Sequence, residues 1–326
     1  MRAPDFWADR TSPLRHLLMP LACLYAAAGR LRHRITVPQS TGVPVICVGN
    51  LVAGGAGKTP VALALAARLG RGDAVHIVTR GYGGSEGGPL RVDRLRHGAD
   101  EVGDEALLLA AVAPTWVSRD RAAGARAAEA AGAAAIILDD GFQNPSLRKH
   151  LSLLVIDGDY GLGNGQVMPA GPLREPLGHG LARADAVVLI GEDRTGIAAR
   201  VASRPILRAR LVATSPSRER IAGRRVIAFA GIGRPDKFFA TLAGLGCAIA
   251  ERRAFADHYR FTRRDIAEII AAAARLDALP VTTAKDAARL PADLRAKVAV
   301  LEVAIAWDDE SALDRLLAER LSIPPP

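Results

Sequence analysis

The sequence predicts an α/β protein of two lobes, the first built on a parallel sheet of the P-loop NTPase type. An apolar stretch, residues 43–48, leads through a glycine-rich turn into a helical stretch, residues 61–68. A second apolar stretch, residues 133–138, ends in two aspartates, and strand and helix patterns alternate between the two signals. A chain of 326 residues also exceeds one ordinary core, so a second α/β lobe is expected.

Composition and charge restrict the class of protein. Residues 1–40 hold six arginines and two aspartates, a net +4 of the overall +9, which suits an anionic membrane surface or nucleic acid. We expect no nucleic-acid partner, because the chain lacks a recognisable nucleic-acid module and interleaved aromatic residues. No run of 18 apolar residues exists, so no membrane span is predicted. The three cysteines are odd in number and far apart, which favours a reducing compartment.

Residues 1–35 are predicted to form an amphipathic, membrane-associating helix, which Pro20 either kinks or divides into two. Apolar side chains recur at helical spacing on one face, namely Leu14, Leu17, Leu18, Leu21, Leu24, Tyr25 and Ala28. Two alternatives stay open. Ala26 to Ala28 resemble a signal-peptide cleavage site, although a nucleotide site directly downstream argues against export. The apolar face is equally compatible with packing on the protein core.

The glycine-rich turn is predicted to bind the phosphates of a nucleoside triphosphate. Its residues are Gly54, Gly55, Ala56, Gly57, Lys58, Thr59 and Pro60. Glycines let the backbone wrap round a phosphate, and the following helix directs unpaired N–H groups at it. We expect Lys58 to reach the outer phosphates and the Thr59 hydroxyl to hold Mg²⁺. Val52 replaces the usual first glycine, and Ala53 replaces the extra lysine of deviant loops.

Two further elements carry acids at their ends, and a long loop carries an arginine. Asp139 and Asp140 end a buried strand, the Walker B arrangement that holds Mg²⁺ opposite the phosphate loop. Asp104 and Glu105 stand where a helix begins, after a long polar loop; the simplest interpretation there is capping and interaction with the helix dipole. Arg174 lies in a long glycine-rich loop between predicted strands, and we interpret it either as an anion clamp or as an exposed loop arginine.

The second half of the chain contains a boundary at residues 214–217, which separates a nucleotide-binding domain, residues 36–213, from a smaller α/β domain, residues 214–326. Residues 206–212 and 298–304 alternate in polarity and are predicted to pair as a two-stranded linker. Residues 308–321 are then left as a closing helix. Thr262 and Asp265 predict a capping box at the start of another helix.

Seven motifs in this order resemble those of the tetraacyldisaccharide 4′-kinase family of lipid A biosynthesis, and they cover nearly the whole chain. The motifs are Gly-Asn-Leu with Gly-Gly-Ala-Gly-Lys-Thr-Pro (49–60), Thr-Arg-Gly-Tyr-Gly (79–83), Gly-Asp-Glu (103–105), Leu-Asp-Asp-Gly-Phe-Gln (138–143), Gly-Pro-Leu-Arg-Glu-Pro (171–176), Asp-His-Tyr-Arg-Phe (257–261) and Thr-Thr-Ala-Lys-Asp (282–286). Three positions depart from common family residues, namely Ala106, Asn144 and Ala284.

The resemblance implies a kinase that moves the γ-phosphate of ATP, with Mg²⁺, to the 4′-hydroxyl of a lipid disaccharide 1-phosphate. It implies two α/β/α lobes, peripheral contact with the anionic inner membrane at its cytoplasmic face, and no obligate protein partner. It assigns the catalytic base to Asp104 and the base's partner to His258, which meet when the lobes close. The remaining implied positions are Lys58 for catalysis, Thr59, Asp139, Asp140 and Glu105 for the metal, and Tyr82, Gln143 and Arg174 for the substrate.

A nucleotide-switch ATPase or metallochaperone GTPase is the second interpretation. It requires the signature lysine that Ala53 replaces, or a guanine-reading motif. Lys285 and Asp286 are adjacent, so the spacing of that motif fails. Turnover that depends on a protein partner, without a phosphorylated lipid product, would favour this class.

Overall fold

The computed structural model describes residues 4–9, 11–70 and 74–321. Its strands, in chain order, are β1 Val45–Gly49, β2 Val75–Thr79, β3 Leu90–Arg91, β4 Thr115–Val117, β5 Ala135–Asp139, β6 Leu151–Asp157, β7 Ala186–Ile190, β8 Ile206–Ala213, β9 Arg225–Ala230, β10 Ala248–Ala254, β11 Leu279–Thr283, β12 Ala299–Leu301 and β13 Val303–Trp307. Its helices are α1 Leu14–Leu17, α2 Met19–Ile35, α3 Lys58–Leu69, α4 Ala99–Val102, α5 Asp104–Leu109, α6 Arg121–Ala130, α7 Leu177–Arg183, α8 Ile197–Val201, α9 Ser215–Ile221, α10 Pro235–Gly244, α11 Arg263–Arg275, α12 Ala284–Ala287, α13 Ala292–Arg295 and α14 Glu310–Leu321.

The larger sheet has nine strands within the described residues, in the order β13-β8-β7-β6-β1-β5-β2-β4-β3. Its pairings are parallel except at the two edges, where β3 and β13 run antiparallel to their neighbours. Strands β1, β5 and β6 are buried along their whole length because helices cover both faces, which explains their continuous apolar sequences. The expected mixed α/β architecture with a large, mainly parallel sheet is confirmed.

The two faces of this sheet carry different helices. Ala22 and Ala26 of α2 pack in one core with Leu138 and Phe142. On the opposite face, Leu65 of α3 packs with the apolar side chains of α14. The phosphate-loop helix and the N-terminal helix therefore lie on opposite faces of the same sheet.

The smaller sheet has four parallel strands in the described part of the chain, in the order β10-β9-β11-β12. Phe238 and Leu242 of α10 pack on one face, while Ile266 and Ile269 of α11 pack on the other. The predicted capping box at the start of α11 is confirmed, since the Thr262 hydroxyl accepts from the Asp265 N–H and the Asp265 side chain accepts from the Thr262 N–H.

The two-stranded linker exists, but its second strand is not the predicted one. β8 pairs antiparallel with β13, from Val303 opposite Ala213 to Trp307 opposite Ala209. Residues 298–304 were predicted as that strand; instead β12 joins the smaller sheet beside β11, and only residues from 303 onward turn back to β8. The alternating pattern did not locate this break because β12 and β13 are separated by a single residue.

The predicted C-terminal bound of the second domain, residue 326, is also wrong. The helix expected over residues 308–321 is present as α14, but its leucines belong to the core of the larger sheet. The chain therefore leaves the first lobe, which is built on the larger sheet, through β8. It returns to this lobe through β13 after completing the second lobe, which is built on the smaller sheet.

Candidate active site

The glycine-rich turn lies between β1 and α3 at the carboxyl edge of the larger sheet. Gly54 and Gly57 have φ values of 112° and 86°, and a Cβ on Gly57 would lie 2.5 Å from the Ile190 Cδ1, so glycine is required there. Lys58 is the first residue of α3, and its side chain is only 10% exposed. The predicted loop, residues 54–60, therefore ends at the N-terminus of α3, where free N–H groups of the helix and the side chain of Lys58 lie close together in the chain.

Asp139 and Asp140 lie beside this loop, because β5 is the parallel neighbour of β1 and Asp139 is in register with Val48. The Asp140 Oδ1 is 3.6 Å from the Lys58 Nζ and 2.8 Å from the Arg174 Nη1. Burial opposes the charge of Asp140, but these two cations outweigh it and lower the pKa of Asp140 to about 2. Asp140 also has a φ of 52°, rare for a residue with a side chain.

Asp139 has no such partners. It is fully buried, and neither carboxylate oxygen has a hydrogen-bond partner within the described residues. Burial, together with the charges of Glu105 and Asp140, raises the pKa of Asp139 to about 7. An orphaned, buried carboxylate next to a phosphate-binding loop fits one ligand of a divalent cation.

The predicted metal ligands are not gathered into one cluster. Among the described residues, no group of three or more His, Cys, Asp or Glu side chains is arranged to hold a metal ion. Glu105 is instead paired with the Lys285 Nζ at 2.6 Å, and Asp140 is paired with Lys58 and Arg174. The buried Thr59 and Asp139 remain, which suits Mg²⁺ because this ion takes one or two protein oxygens plus water and substrate phosphates.

Asp104 and His258 come from different lobes and are already in contact. The Asp104 Oδ2 is 3.2 Å from the His258 Nδ1, although 153 residues separate them in the chain. The side chain of Asp104 is 2% exposed, whereas that of His258 is 28% exposed and has a φ of 56°. Gly103 occupies the N-cap position of α5, but Asp104 is the first residue of the helix and its Oδ1 accepts from the Glu105 N–H at 2.8 Å, so Asp104 also satisfies a free N–H group at the helix start.

The contact favours the charged form of both groups. Burial works against the charge of Asp104, but His258, Lys285 and Arg289 together keep the pKa of Asp104 below its ordinary value. The Asp104 contact raises the pKa of His258 above that of a free imidazole, although partial burial opposes it. Asp104 is therefore ionised at neutral pH and His258 binds a proton more readily than usual.

Lys285 and Arg289 are site residues to which the sequence analysis assigned no role. The Arg289 Nε lies 3.3 Å from the Asp104 Oδ2, while its Nη2 contacts Asp286 at 2.8 Å. Asp286 in turn accepts from the Gly231 N–H at 3.0 Å. Their position in the sequence, shortly after β11, could have indicated a role in the site. Residues that follow a buried parallel strand lie at the ligand-binding edge of the sheet.

The three predicted substrate residues lie around this centre. The Tyr82 ring, 62% exposed, lies 5.1 Å from the His258 ring, centroid to centroid. Arg174 donates to both Asp140 and the Gln143 side chain. Gln143 also donates to the Asn50 carbonyl and to Glu175. Tyr82 of the first lobe thus contacts His258 of the second lobe. Arg174 and Gln143 instead form hydrogen bonds that hold the loop after β5.

The fold and this site together define an α/β protein whose glycine-rich loop, neighbouring aspartates and Asp–His contact between the two sheets are typical of a nucleotide-dependent phosphotransferase. Comparison with known proteins agrees. Residues 14–322 match the family described as LpxK, tetraacyldisaccharide-1-P 4′-kinase, and the chain belongs to this family.

Individual relatives cover almost the full chain. The tetraacyldisaccharide 4′-kinase of Rhodospirillum centenum is 57% identical over 328 residues, covering 99% of this chain and 97% of that protein. The enzyme of the same name from Paramagnetospirillum magneticum is 56% identical, with 97% and 98% covered. The crystal structure of "apo" form LpxK from Aquifex aeolicus in complex with ATP is similar, with a TM-score of 0.76, 29% identity and coverage of 94% and 99%.

Proposed function

We propose that this protein transfers the γ-phosphoryl group of ATP to the 4′-hydroxyl of a tetraacyldisaccharide 1-phosphate. The observation that carries the proposal is the contact between Asp104 and His258 at 3.2 Å, at the boundary of the lobes and beside the phosphate loop. Family membership supplies the substrate class, and relatives of the same length carry the corresponding name.

The acceptor hydroxyl needs a group that takes its proton as the new P–O bond forms. Asp104 is that group, since its low pKa keeps it ionised and ready to accept a hydrogen bond from the 4′-hydroxyl. A weak base suffices because the transition state of phosphoryl transfer is loose and little proton transfer is needed before P–O cleavage. His258 positions the carboxylate and, when protonated, offsets negative charge near the reacting group.

The transferred group is stabilised from the nucleotide lobe. Lys58 and the N–H groups at the start of α3 face the outer phosphates, and Asp140 keeps the Lys58 ammonium in place at 3.6 Å. Thr59 and Asp139 are the residues that would hold Mg²⁺, which when bound supplies further neutralisation of phosphate charge. Arg174 holds Asp140 at 2.8 Å and thus fixes the loop that carries both aspartates.

The lipid substrate also requires contact with a membrane, and we assign that contact to α2. Within the described ranges no helix combines the length and the apolar character that a bilayer crossing needs. Ala22 and Ala26 attach α2 to the larger sheet, whereas Leu21 and Leu24 of α2 are 54% and 68% exposed, and Leu17 at the end of the preceding α1 is 74% exposed. We propose that this exposed face lies in the interface of the anionic inner membrane, on its cytoplasmic side.

A direct assay tests the function. Wild-type protein, ATP, Mg²⁺ and purified tetraacyldisaccharide 1-phosphate should yield a product with a second phosphate, detected by mass spectrometry. Lys58→Ala should lose most of this activity, because the charge facing the outer phosphates is removed. ATP hydrolysis that needs a protein partner and leaves the lipid unphosphorylated would instead support a nucleotide-switch protein.

A second experiment tests the pair of Asp104 and His258. Alanine at either position should lower turnover by about 10²–10⁴-fold, and the double variant should be little worse than the more damaged single one. The control removes another inter-lobe ion pair, Asp100 with Arg260 at 3.0 Å, whose side chains are both at least 75% exposed. Asp100→Ala should keep near-normal turnover, while multiplicative losses at Asp104 and His258 would refute a shared step.

A further inference from the structure

A short segment before α1 is bound to the long loop between β6 and α7, residues 158–176. The segment Asp5–Trp7 forms a single 3-10 turn, and we call it the N-terminal strap. The Trp7 Nε1 donates to the Pro169 carbonyl at 3.0 Å, and the Trp7 carbonyl accepts from the Asn164 N–H at 2.8 Å. Trp7 and Pro169 are 162 residues apart in the chain, so these are tertiary contacts.

Asn164 connects the strap to the interior of this loop. The residue is buried, with 6% of its surface exposed. Its Nδ2 donates to the Phe6 carbonyl at 3.2 Å and to the Ala170 carbonyl at 2.9 Å, and its Oδ1 accepts from the Gln166 N–H at 3.0 Å. One buried amide side chain therefore fixes the backbone of the strap and the backbone of the loop together.

The loop also leaves room for the strap at Gly163. This residue has a φ of 58°, and a Cβ there would lie 2.6 Å from the Trp7 carbonyl oxygen and 2.8 Å from the Pro172 Cγ. A larger residue would push the strap away from the loop or strain the backbone. Gly163 is thus an independent sign that the loop is shaped to receive the strap.

The far end of the same loop pairs with the chain that leads into the phosphate loop. The Ala53 N–H donates to the Pro172 carbonyl at 2.8 Å, and the Arg174 N–H donates to the Leu51 carbonyl at 2.7 Å. The glycine-rich turn begins at the next residue, Gly54. The position of the turn therefore depends on a backbone that the loop holds from one side.

The side chain of Arg174 extends this connection to the lysine of the phosphate loop. Its guanidinium lies 2.8 Å from Asp140, and Asp140 lies 3.6 Å from the Lys58 Nζ. Pro169, which accepts from Trp7, is five residues before Arg174 in the chain, and the backbone around them is closed by its own hydrogen bonds. A continuous set of contacts thus runs from the strap to Lys58.

We propose that Trp7 and Asn164 are positioning residues for the nucleotide site. They hold the loop between β6 and α7 so that Arg174 and the backbone before Gly54 keep the geometry that binds the outer phosphates. Neither residue touches the reaction centre. A loop without these contacts must be ordered when the nucleotide binds, and that loss of conformational entropy lowers the affinity. This inference rests on the proposed function for the identity of the nucleotide.

Calorimetric titration of the full chain with Mg²⁺ and AMP-PNP, a non-hydrolysable analogue of ATP, tests the inference without the lipid. Trp7→Phe removes the Nε1–H donor and keeps an aromatic ring, whereas Asn164→Ala removes the buried amide. The Kd of the analogue should rise about three- to tenfold in each variant, as expected when about one neutral hydrogen bond is lost. The double variant should be little weaker than the weaker single one, because both residues act through one loop.

The titration separates positioning from simple loss of folded protein. A partly unfolded preparation lowers the number of binding sites and leaves the Kd of the folded fraction unchanged. Asp9→Ala is the matched control, because Asp9 follows the strap but its Oδ1 accepts from the Thr11 N–H and hydroxyl, both at 2.7 Å, within the N-terminal segment. This variant should keep the wild-type Kd to within about twofold.

Two results would overturn the inference. An unchanged Kd in Trp7→Phe and Asn164→Ala, with fewer sites or a lower melting temperature, would give the strap a structural role alone. Multiplicative losses in the double variant would contradict a single route through the loop. A wild type that binds AMP-PNP but phosphorylates no disaccharide would overturn the proposed function alone, since the Kd values still decide the role of the strap.

Discussion

Asp139 and Asp140 are adjacent in the chain, yet the fold places their carboxyl groups in opposite environments. Asp140 turns to Lys58 and Arg174 through its positive φ, while Asp139 stays in the strand direction and meets no partner within the described residues. The pKa of Asp140 is therefore lowered to about 2 and that of Asp139 raised to about 7. Asp140 therefore joins the loop after β5 to Lys58 and Arg174, whereas Asp139 is the carboxylate that we propose for Mg²⁺.

Asp139→Asn should stabilise the nucleotide-free protein at pH 8 by on the order of 1–3 kcal/mol, and by less as the pH is lowered toward 4. The folded protein keeps the Asp139 proton up to about pH 7, whereas the unfolded chain releases it at about pH 4, so wild-type stability falls as pH rises through this window. Thermal unfolding measures the difference, and Mg²⁺ with ATP should raise the melting temperature of the wild type more than that of the variant.

The neighbouring residue provides the control for this prediction. Asp140→Asn should destabilise the protein at both pH values, because the ionised carboxylate that pairs with Lys58 and Arg174 is present throughout the range above about pH 4. An Asp139→Asn variant that is less stable than the wild type at pH 8 would contradict the unpaired state of Asp139.

At the scale of a single element, α2 combines two faces with different roles. Pro20 lies in its first turn, so the residue starts a second helix and α1 ends before it. The small Ala22 and Ala26 pack against the sheet together with Leu18 of the predicted stripe, whereas the other stripe leucines, Leu14, Leu17, Leu21 and Leu24, are exposed. Of the two structural alternatives for the stripe, packing on the core therefore involves Leu18 but not the exposed leucines.

The triple variant Leu17→Ser, Leu21→Ser and Leu24→Ser should lose vesicle binding in flotation experiments, because it removes apolar surface that the membrane interface would bury. Substituting Arg30, Arg32 and Arg34 by Gln should remove only the salt-sensitive part of binding, about 1 kcal/mol for each residue. Leu95→Ser is the matched control, since Leu95 is 98% exposed but lies in a loop at the far edge of the sheet. Undiminished flotation of the leucine variant would contradict the assignment of α2.

At the scale of the whole molecule, two groups of largely buried ion pairs join the lobes in the described part of the chain, besides the exposed pair of Asp100 and Arg260. One joins Asp104 and Glu105 to the second lobe through His258, Lys285 and Arg289. In the other, the buried Asp157 at the end of β6 lies 2.6 Å from the Arg234 Nη1 and 2.5 Å from the Lys237 Nζ. We expected Asp104 and His258 to meet on closure; in this structure the lobes already bring them together.

Asp157→Asn should broaden the distribution of distances between the lobes, because it removes the carboxylate that faces two cations. Spin labels on α6 and α11, in a Cys23→Ser background that eliminates the exposed native cysteine, measure this distribution without nucleotide. Asp293→Asn is the control, since its ion pair with Arg263 at 2.7 Å lies within the second lobe. Identical distributions in the two variants would mean that the linker strands alone position the lobes.

The residues of short sequence segments were sufficient to predict several features of the structure. The glycine-rich turn, the buried strand that ends in Asp139, and the capping box at Thr262 depend on residues within one or two turns of chain. Their signals are backbone freedom, apolar periodicity and short-range hydrogen bonding, all of which are encoded by neighbouring residues. The sequence motifs likewise identified the family, because they require particular residue types in a particular order.

The tertiary structure alone decided which charges face one another. Asp104 meets His258 and Arg289, Glu105 meets Lys285, and Asp140 meets Arg174, each across a separation that no periodic pattern reports. The strand boundary at residues 301–303 and the outward face of α2 were also settled by the arrangement of sheets and helices. Ion pairing and burial depend on how two folded lobes fit together, and sequence neighbours carry no information about that fit.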